Sequence, residues 1–454
     1  MGKEMTENLT DLKHTSVKIK GGGEVIILDT GAVIDAEAEA MLQALHSRST
    51  GGLRNHLKVL AEKGADNFME KFYVGYGHHS IGDCGDTTIF IEGVSMPAVK
   101  AVQDNPLFRG QESSTRYLDF SHQPFIDPTG TDEGKWLLEK QRQFYIDAQE
   151  PTRESLKKLH PKGAGEKDSI YEKAIDARTF DITRSLLPAG ASTNFAWHTD
   201  LRQASDKLLF LIHHPLPEVR NIASAVKEAL QKHHPHSFGH DIPDGTEKYQ
   251  DLIAEYYYYH DPNSPEEPIV NFDNIDRNEL IKFDELFKKR PPKTGLPKFV
   301  AQAGILEIKY RLDYGSFRDI QRHRAITQRL PLLTTELGFN QWYRDNFPAT
   351  VSAKLPGHLN MIKQTIEDLH LPRELQQYYI PIGYNTSNRF TGDLPAVIYM
   401  VEIRDSRFVH PTLQKVAHNI GQQITRELKI KLNLDPEPNR FDIKRGEQDI
   451  IAID

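Results

Sequence analysis

The sequence predicts an α/β (α+β) protein built from two tandem copies of one domain. Three observations predict it. Short β-favouring runs alternate with stretches of helical periodicity, the same order of runs occurs twice, and 454 residues suffice for two or three domains with ample core. At 38% hydrophobic and 26% charged residues the chain reads as soluble and globular rather than disordered. A formal net charge of -8 argues against broad nucleic-acid binding. No apolar run approaches the ~20 residues of a membrane helix. A lone cysteine, Cys84, rules out an intramolecular disulfide and fits a reducing, cytoplasmic setting. The polar start MGKEMTENLTDLKH has no signal-peptide core, and its match to M-G-x-x-x-T is too short a pattern to argue acylation.

Taken in order, residues 1–24 form a polar arm containing Gly21-Gly22-Gly23, and a first domain runs over residues 25–238. Val25-Ile26-Ile27-Leu28 reads as a strand, and residues 35–45 and 52–72 carry helical spacing. Thr87-Thr88-Ile89-Phe90-Ile91 is a strand, and Pro97 opens the helix behind it. That helix ends at Asp104-Asn105-Pro106, before the loop LFRGQESSTRYLDF. Two amphipathic helices follow at 134–160 and 165–187, broken by Pro188-Ala189-Gly190. Asp200 can cap the next helix, and Pro217 opens another. Residues 239–265 are a linker rich in breakers, 266–432 a second domain, and 433–454 a polar, peripheral tail. Within the second domain Leu280–Lys289 is helical, Phe299–Asp313 leads into YGSFRDIQRHR, Leu371–Tyr379 ends at Ile380-Pro381, and Pro411 opens a helix to Leu428.

The halves align with each other. Pro188 over Pro381 sets Thr193 on Thr386 and Leu201 on Leu394 without a gap. A one-residue shift sets Pro217 on Pro411, and upstream GVSMPAVKAVQDNP falls on RLDYGSFRDIQRHR. Arg322-His323-Arg324 places two guanidinium forks around an imidazole, a dense anion-binding cluster that on a bare surface would be only a solvated charged face.

GHHSIGD, IFIEGVS, ESSTRY, RSLLP, TNFAW and DLRQ, in that order, resemble the flavin-dependent thymidylate synthases. That family carries R-H-R, then seven residues, then a serine opening S-x-R-Y. Here the motif is divided. The first half keeps Ser114-Thr115-Arg116-Tyr117, with Glu112 before it, but holds Asp104-Asn105-Pro106 at the R-H-R position. The second half keeps Arg322-His323-Arg324 but has Leu332 at the serine and Thr334 at the arginine. Each half keeps what the other lost. Because the family's sites lie between subunits, the resemblance implies a fused pseudo-dimer with one composite site per chain. It also implies a small sheet flanked by helices plus a long helical segment in each half, and a homodimer of fused chains reproducing a four-domain assembly.

Carried over position by position, Arg404 corresponds to the family arginine on the pyrimidine, as the catalytic charge stabiliser; its first-half counterpart is Leu211. Glu112, Ser114, Arg116, Arg322, Arg404 and Arg184 are the implied dUMP-binding set, Arg184 being lost as Gln377 in the second half. His78, Ser80, Arg202, Arg322, His323 and Arg324 are the implied FAD-binding set. Asp83 and Cys84 stand at the glutamate and second histidine of the flavin motif, and Asp200 replaces the asparagine before Arg202. The implied reaction is reductive methylation of dUMP to dTMP, with FAD as cofactor and methylenetetrahydrofolate and NADPH as co-substrates. A related enzyme acting on another pyrimidine nucleotide, or a non-catalytic flavin- or nucleotide-binding protein, would carry the same remnants.

Other features have plainer readings. Cys84 lacks the basic neighbours of a nucleophile and reads as a packed thiol. His233, His234, His236 and His240 fit no standard ligand spacing, so no metal is expected. Tyr256 to Tyr259 read as packing between the halves, with a stacking surface as the other option. No P-loop, G-x-G-x-x-G or Ser-His-Asp spacing supports a kinase, Rossmann or hydrolase reading.

Overall fold

The computed structural model describes residues 14–28, 36–48, 52–63, 83–116, 118–238 and 243–437. In chain order the strands are β1 (His14–Lys18), β2 (Glu24–Leu28), β3 (Asp86–Ser95), β4 (Arg109–Glu112), β5 (Ser192–Asp200), β6 (Tyr258–Tyr259), β7 (Ile269–Asp273), β8 (Ile305–Asp313), β9 (Thr327–Gln328), β10 (Leu330–Pro331) and β11 (Asn385–Asp393). The chain folds as two compact units: Met1–Ser113 with Ser192–Tyr256, and Ser114–Ala191 with Tyr257–Asp454. This division differs from the sequence boundary at 239–265, because the Ser114–Ala191 segment of the first half packs with the second half.

The first unit is an antiparallel sheet in the order β1-β2-β3-β5-β4. Alternation along β3 turns Ile89 and Ile91 into the core and Phe90 and Glu92 outward, as a half-covered strand requires. The register of β3 on β5 slips between Ile91 and Val94, where Gly93 takes φ 69 and lies against Gly23. Helices Met96–Gln103, Leu201–Leu211 and Pro217–His233 supply Val99, Leu208, Ile222 and Val226 to the core. The polar arm is not featureless: HTSVK forms β1, with Val17 buried opposite Val25.

The second unit has a sheet ordered β7-β8-β11-β9, with β8 and β11 paired over nine residues from Ile305↔Asp393 to Asp313↔Asn385. Helices Tyr314–Ile320, Leu394–Arg404 and Pro411–Leu428 belong to the second half. Helices Asp132–Leu159 and Asp168–Thr183 of the first half pack on one another here, close to the ranges expected from their periodicity. Part of the expected linker is ordered. Thr246–Glu255 is a helix with no buried residue, so its periodicity gave no core signal. In the tyrosine run, Tyr256 is exposed, Tyr257 is buried, and Tyr258–Tyr259 pair in parallel with β10. The tail's first residues are anchored: Asn433 and Asp435 donate backbone N–H groups to Glu402 and Asp405.

Sheet register supports the duplication independently of side-chain identity. His198 and Thr391 are equivalents under the Pro188/Pro381 alignment; Arg109 of β4 pairs with the first and Thr327 of β9 with the second. Five residues before Arg109 is Asp104, and five before Thr327 is Arg322. The lost and retained cluster positions therefore correspond in structure as in sequence. Caps repeat as well: Ser95 and Asp313 begin equivalent helices, as do Asp200 and Asp393.

The copies also meet at their own equivalents. Pro188 forms an antiparallel bridge with Pro381. Ala189 N–H donates to the Ile380 carbonyl at 3.0 Å and Ile382 N–H to Leu187 at 2.8 Å. Gly190 N–H donates to Tyr378 at 2.8 Å and Gly383 N–H to Ser185 at 2.9 Å. Such reciprocal pairing is the signature of a two-fold interface preserved within one chain.

Candidate active site

The helix Tyr314–Ile320 begins at Asp313, whose carboxylate accepts the Ser316 N–H, and ends where Arg322-His323-Arg324 turns outward. Arg322 and Arg324 are exposed. Arg404 closes the C-terminal turn of Leu394–Arg404 and reaches back to this turn. Its Nε–H donates to His323 Nε2 at 2.7 Å, and its Nη2 to the Asp319 carbonyl at 2.7 Å. An arginine Nε–H can only donate, so His323 Nε2 is bare and the ring proton rests on Nδ1. Burial, reinforced by Arg404, pulls the His323 pKa down to about 3, which keeps the imidazole neutral. Tyr399 lies edge-on to the same ring at 6.3 Å.

Asp319 lies among the guanidiniums of Arg116, Arg404, Arg184 and Arg322. Burial pushes its pKa up, but those four charges outweigh burial and hold it below the ordinary carboxylate range. Arg404 is pulled below the ordinary arginine range by burial, with Arg322 and Arg116 adding to the effect and Asp319 opposing it.

Arg116, at the end of the serine–arginine loop, enters the same unit from the first half. Its Nε and Nη2 donate to the buried carboxylate of Asp181 at 2.7 and 3.3 Å, and its Nη1 to the Phe408 carbonyl at 3.3 Å. Ser114 Oγ accepts the Arg116 N–H, and Arg318 donates to Thr115 Oγ1. Arg184 is 2% exposed, donates to Ser316 Oγ at 2.9 Å and stands 3.7 Å from Asp313. Although Arg184 belongs to the first half in sequence, it shares a compact unit with Arg404. Its burial makes it an interior charge rather than a surface contact.

Beside the cluster lies a cavity of 360 Å³ lined by Tyr399, Ile403, Asp405, Arg407, Phe408 and Asp435, among others. Tyr399 and Phe408 connect it to His323 and Arg116. A cavity of this size and partly aromatic wall suits a flat heterocycle.

The other expected residues that the structure describes belong to the first unit. Glu112 belongs to the first unit, where Lys100 Nζ at 2.8 Å and Gln103 hold its carboxylate, with the ion-pair side chains 0% and 1% exposed. Within this unit it forms an interior ion pair. Arg202, also in the first unit, is half-buried and donates to Asp83, the residue standing at the flavin-motif glutamate. Asp200 accepts the Gln203 N–H at 2.8 Å, so the change from asparagine retains a helix cap. His78, Ser80, Tyr117 and His240 lie outside the described residues. Cys84 has its thiol pKa raised by burial and then by Asp83, Glu39 and Asp200, which disfavours a thiolate.

Sequence reasoning missed Asp181, Asp313, Asp319 and His410. None of the four belongs to a motif that the sequence reading could count from. The available signals were Asp313 and His410 standing immediately before helices, and Asp319 one turn before Arg322.

Residues 32–236 match the family model described as Thymidylate synthase complementing protein, Thy1. This segment is similar to the Thy1 domain. Ser114, Arg116, Arg184 and Arg202 lie inside it, whereas Arg322, His323, Arg324 and Arg404 lie in the copy beyond it. The chain is also similar to a UPF0159 protein of Chlamydia muridarum, 24% identical over 430 residues covering 80% of this chain and 79% of the relative. A UPF0159 protein of Chlamydia pneumoniae is 23% identical with the same coverage. One of Thermoplasma acidophilum is 22% identical over 450 residues, covering 80% of this chain and 87% of its own. Matches of that length extend beyond the Thy1-like segment into the second copy. Among the described residues no helix is long and apolar enough to cross a membrane.

Proposed function

We propose that this chain converts dUMP to dTMP by reductive methylation, using methylenetetrahydrofolate, FAD and NADPH, at one composite site formed by both halves. The observation that supports it is the convergence of four guanidiniums on Asp319, with Arg116 from the Thy1-like segment and Arg322 and Arg404 from its copy. Such an excess of arginine suits a phosphate dianion. Ser114 and Arg322 bind the dUMP phosphate, with Arg116 and Arg184 setting the field behind them. Arg404 stabilises negative charge developing at the uracil carbonyl, and neutral His323 holds its fork in place without adding a competing positive charge. The exposed guanidiniums of Arg322 and Arg324 fit the pyrophosphate of FAD. Reduced FAD, when bound, supplies the hydride. The aromatic-walled cavity next to Tyr399 and Phe408 accommodates the second substrate's ring, and two chains pair as a homodimer.

One observation favours a second reading. The Arg116 fork is largely taken up by Asp181, which weakens its attraction for a phosphate and would suit a different pyrimidine nucleotide. The deciding experiment supplies purified protein with dUMP, FAD, NADPH and methylenetetrahydrofolate and follows dTMP. Product from the parent, reduced about 10²–10³-fold in kcat/KM by Arg404→Ala, is expected. FAD binding without dTMP formation would overturn the thymidylate reading.

A further inference from the structure

Arg116, in a loop of the first half, and Arg404, at a helix end of the second, depend for their spacing on contacts outside both segments. The helix Leu394–Arg404 is followed by the turn Asp405-Ser406-Arg407-Phe408-Val409-His410, and His410 caps Pro411–Leu428 by accepting the Thr412 N–H on Nδ1. His410 is fully buried. Its Nε2 lies 3.0 Å from the Asp181 backbone carbonyl, which can only accept, so the ring proton is on Nε2. Asp181 in turn grips Arg116 through both carboxylate oxygens, while Phe408, two residues before His410, offers Arg116 its carbonyl. On its other side the imidazole meets Thr412 Oγ1 at 2.8 Å and Ser316 Oγ at 3.3 Å. Thr412 and Tyr343 both donate to Asp313, the partner of Arg184.

We infer that His410 and Asp181 are positioning residues that fix the Arg116 guanidinium against the Arg404 turn. This assignment rests on the proposed dUMP site. The mechanism is geometric. His410 locks the backbone of Asp181, Asp181 locks the Arg116 fork in a bidentate pair, and the Phe408–His410 turn ties both to the end of the helix that carries Arg404. The charged groups facing His410 are Arg184, Asp181 and Arg116; burial and the two arginines keep it neutral, so its single N–H stays directed at the Asp181 carbonyl. Tyr343 lies 3.5 Å away, and Trp342 packs edge-on at 4.9 Å, excluding water from the pair.

The test combines a ligand-free and a ligand-bound readout on the full chain. In a spectrum selective for arginine Nε–H groups, the Arg116 resonance, assigned through Arg116→Lys, is expected to be slow to exchange in the parent. It should be lost to exchange in His410→Gln and in Asp181→Asn. Titration with dUMP should show about tenfold weaker binding in each variant. The Asp181→Asn and Arg116→Lys losses should be non-additive, since the first acts through the second. An Arg116 resonance unchanged in His410→Gln, or additive losses in the cycle, would overturn the inference. If the parent fails to bind dUMP while the resonance still responds, the substrate reading falls and the positioning role stands. Should His410→Gln not fold, Asp181→Asn and its cycle carry the same decision.

Discussion

Arg184 and Lys100 are buried cations, one in each unit, and removing either takes a charge partner from a buried carboxylate. Arg184→Gln takes the guanidinium from Asp313, and Lys100→Met takes the ammonium from Glu112. Each is expected to destabilise its unit by about 3–5 kcal/mol in urea unfolding. Adding Glu112→Leu to Lys100→Met should recover much of that loss, and dUMP binding should survive in the double variant because Glu112 faces inward. Loss of binding there would restore Glu112 as a ligand. At this scale the sequence was informative where the family resemblance supplied a motif to count from: it singled out Arg116, His323 and Arg404, of which Arg404 donates to His323 in the structure. It was silent on Asp181, whose meaning comes from a partner 65 residues away in the chain. One aspartate among the several acids of an amphipathic helix has no periodicity to single it out.

The pairing of Leu187–Gly190 with Ile380–Gly383 is where the copies join, and it leaves no room for side chains. A Cβ on Gly190 would stand 2.7 Å from the carbonyl oxygens of Ile126 and Tyr378, both backbone atoms that cannot swing away. Gly190→Ala is therefore expected to destabilise the second unit by about 2 kcal/mol, read as a lowered unfolding midpoint. Long elements were legible: the helices Asp132–Leu159 and Pro411–Leu428 follow their apolar spacing and their opening residues. The two-residue strands β6, β9 and β10 were not, since a strand that short is defined by its partner rather than by its own sequence. The helix Thr246–Glu255 was missed for a related reason, having no buried face to mark it.

Across the whole chain, acid should unfold the protein through its buried imidazoles. His214 in the first unit and His323 in the second have pKa values near 3, both lowered chiefly by burial from an ordinary 6.5. A depressed folded pKa contributes stability that is fully present above the unfolded value and lost as pH falls through the folded one. The melting temperature is therefore expected to decline from pH 6.5 toward 3, and replacing either histidine by an uncharged residue of similar size should flatten that decline. The duplication was legible from one alignment; what the alignment could not give was that residues 114–191 pack with the opposite copy, because that is a choice of tertiary partner rather than of pattern. This exchange brings Arg116 and Arg404 into one unit of a single chain, and it is the central claim. The direct test mixes Arg116→Ala chains with Arg404→Ala chains and measures dTMP formation against the parent. An intrachain site predicts activity in the parent, a large loss in either variant and the same loss in the mixture. Recovery of activity on mixing would mean that the two halves of the site come from different chains, and would contradict the account.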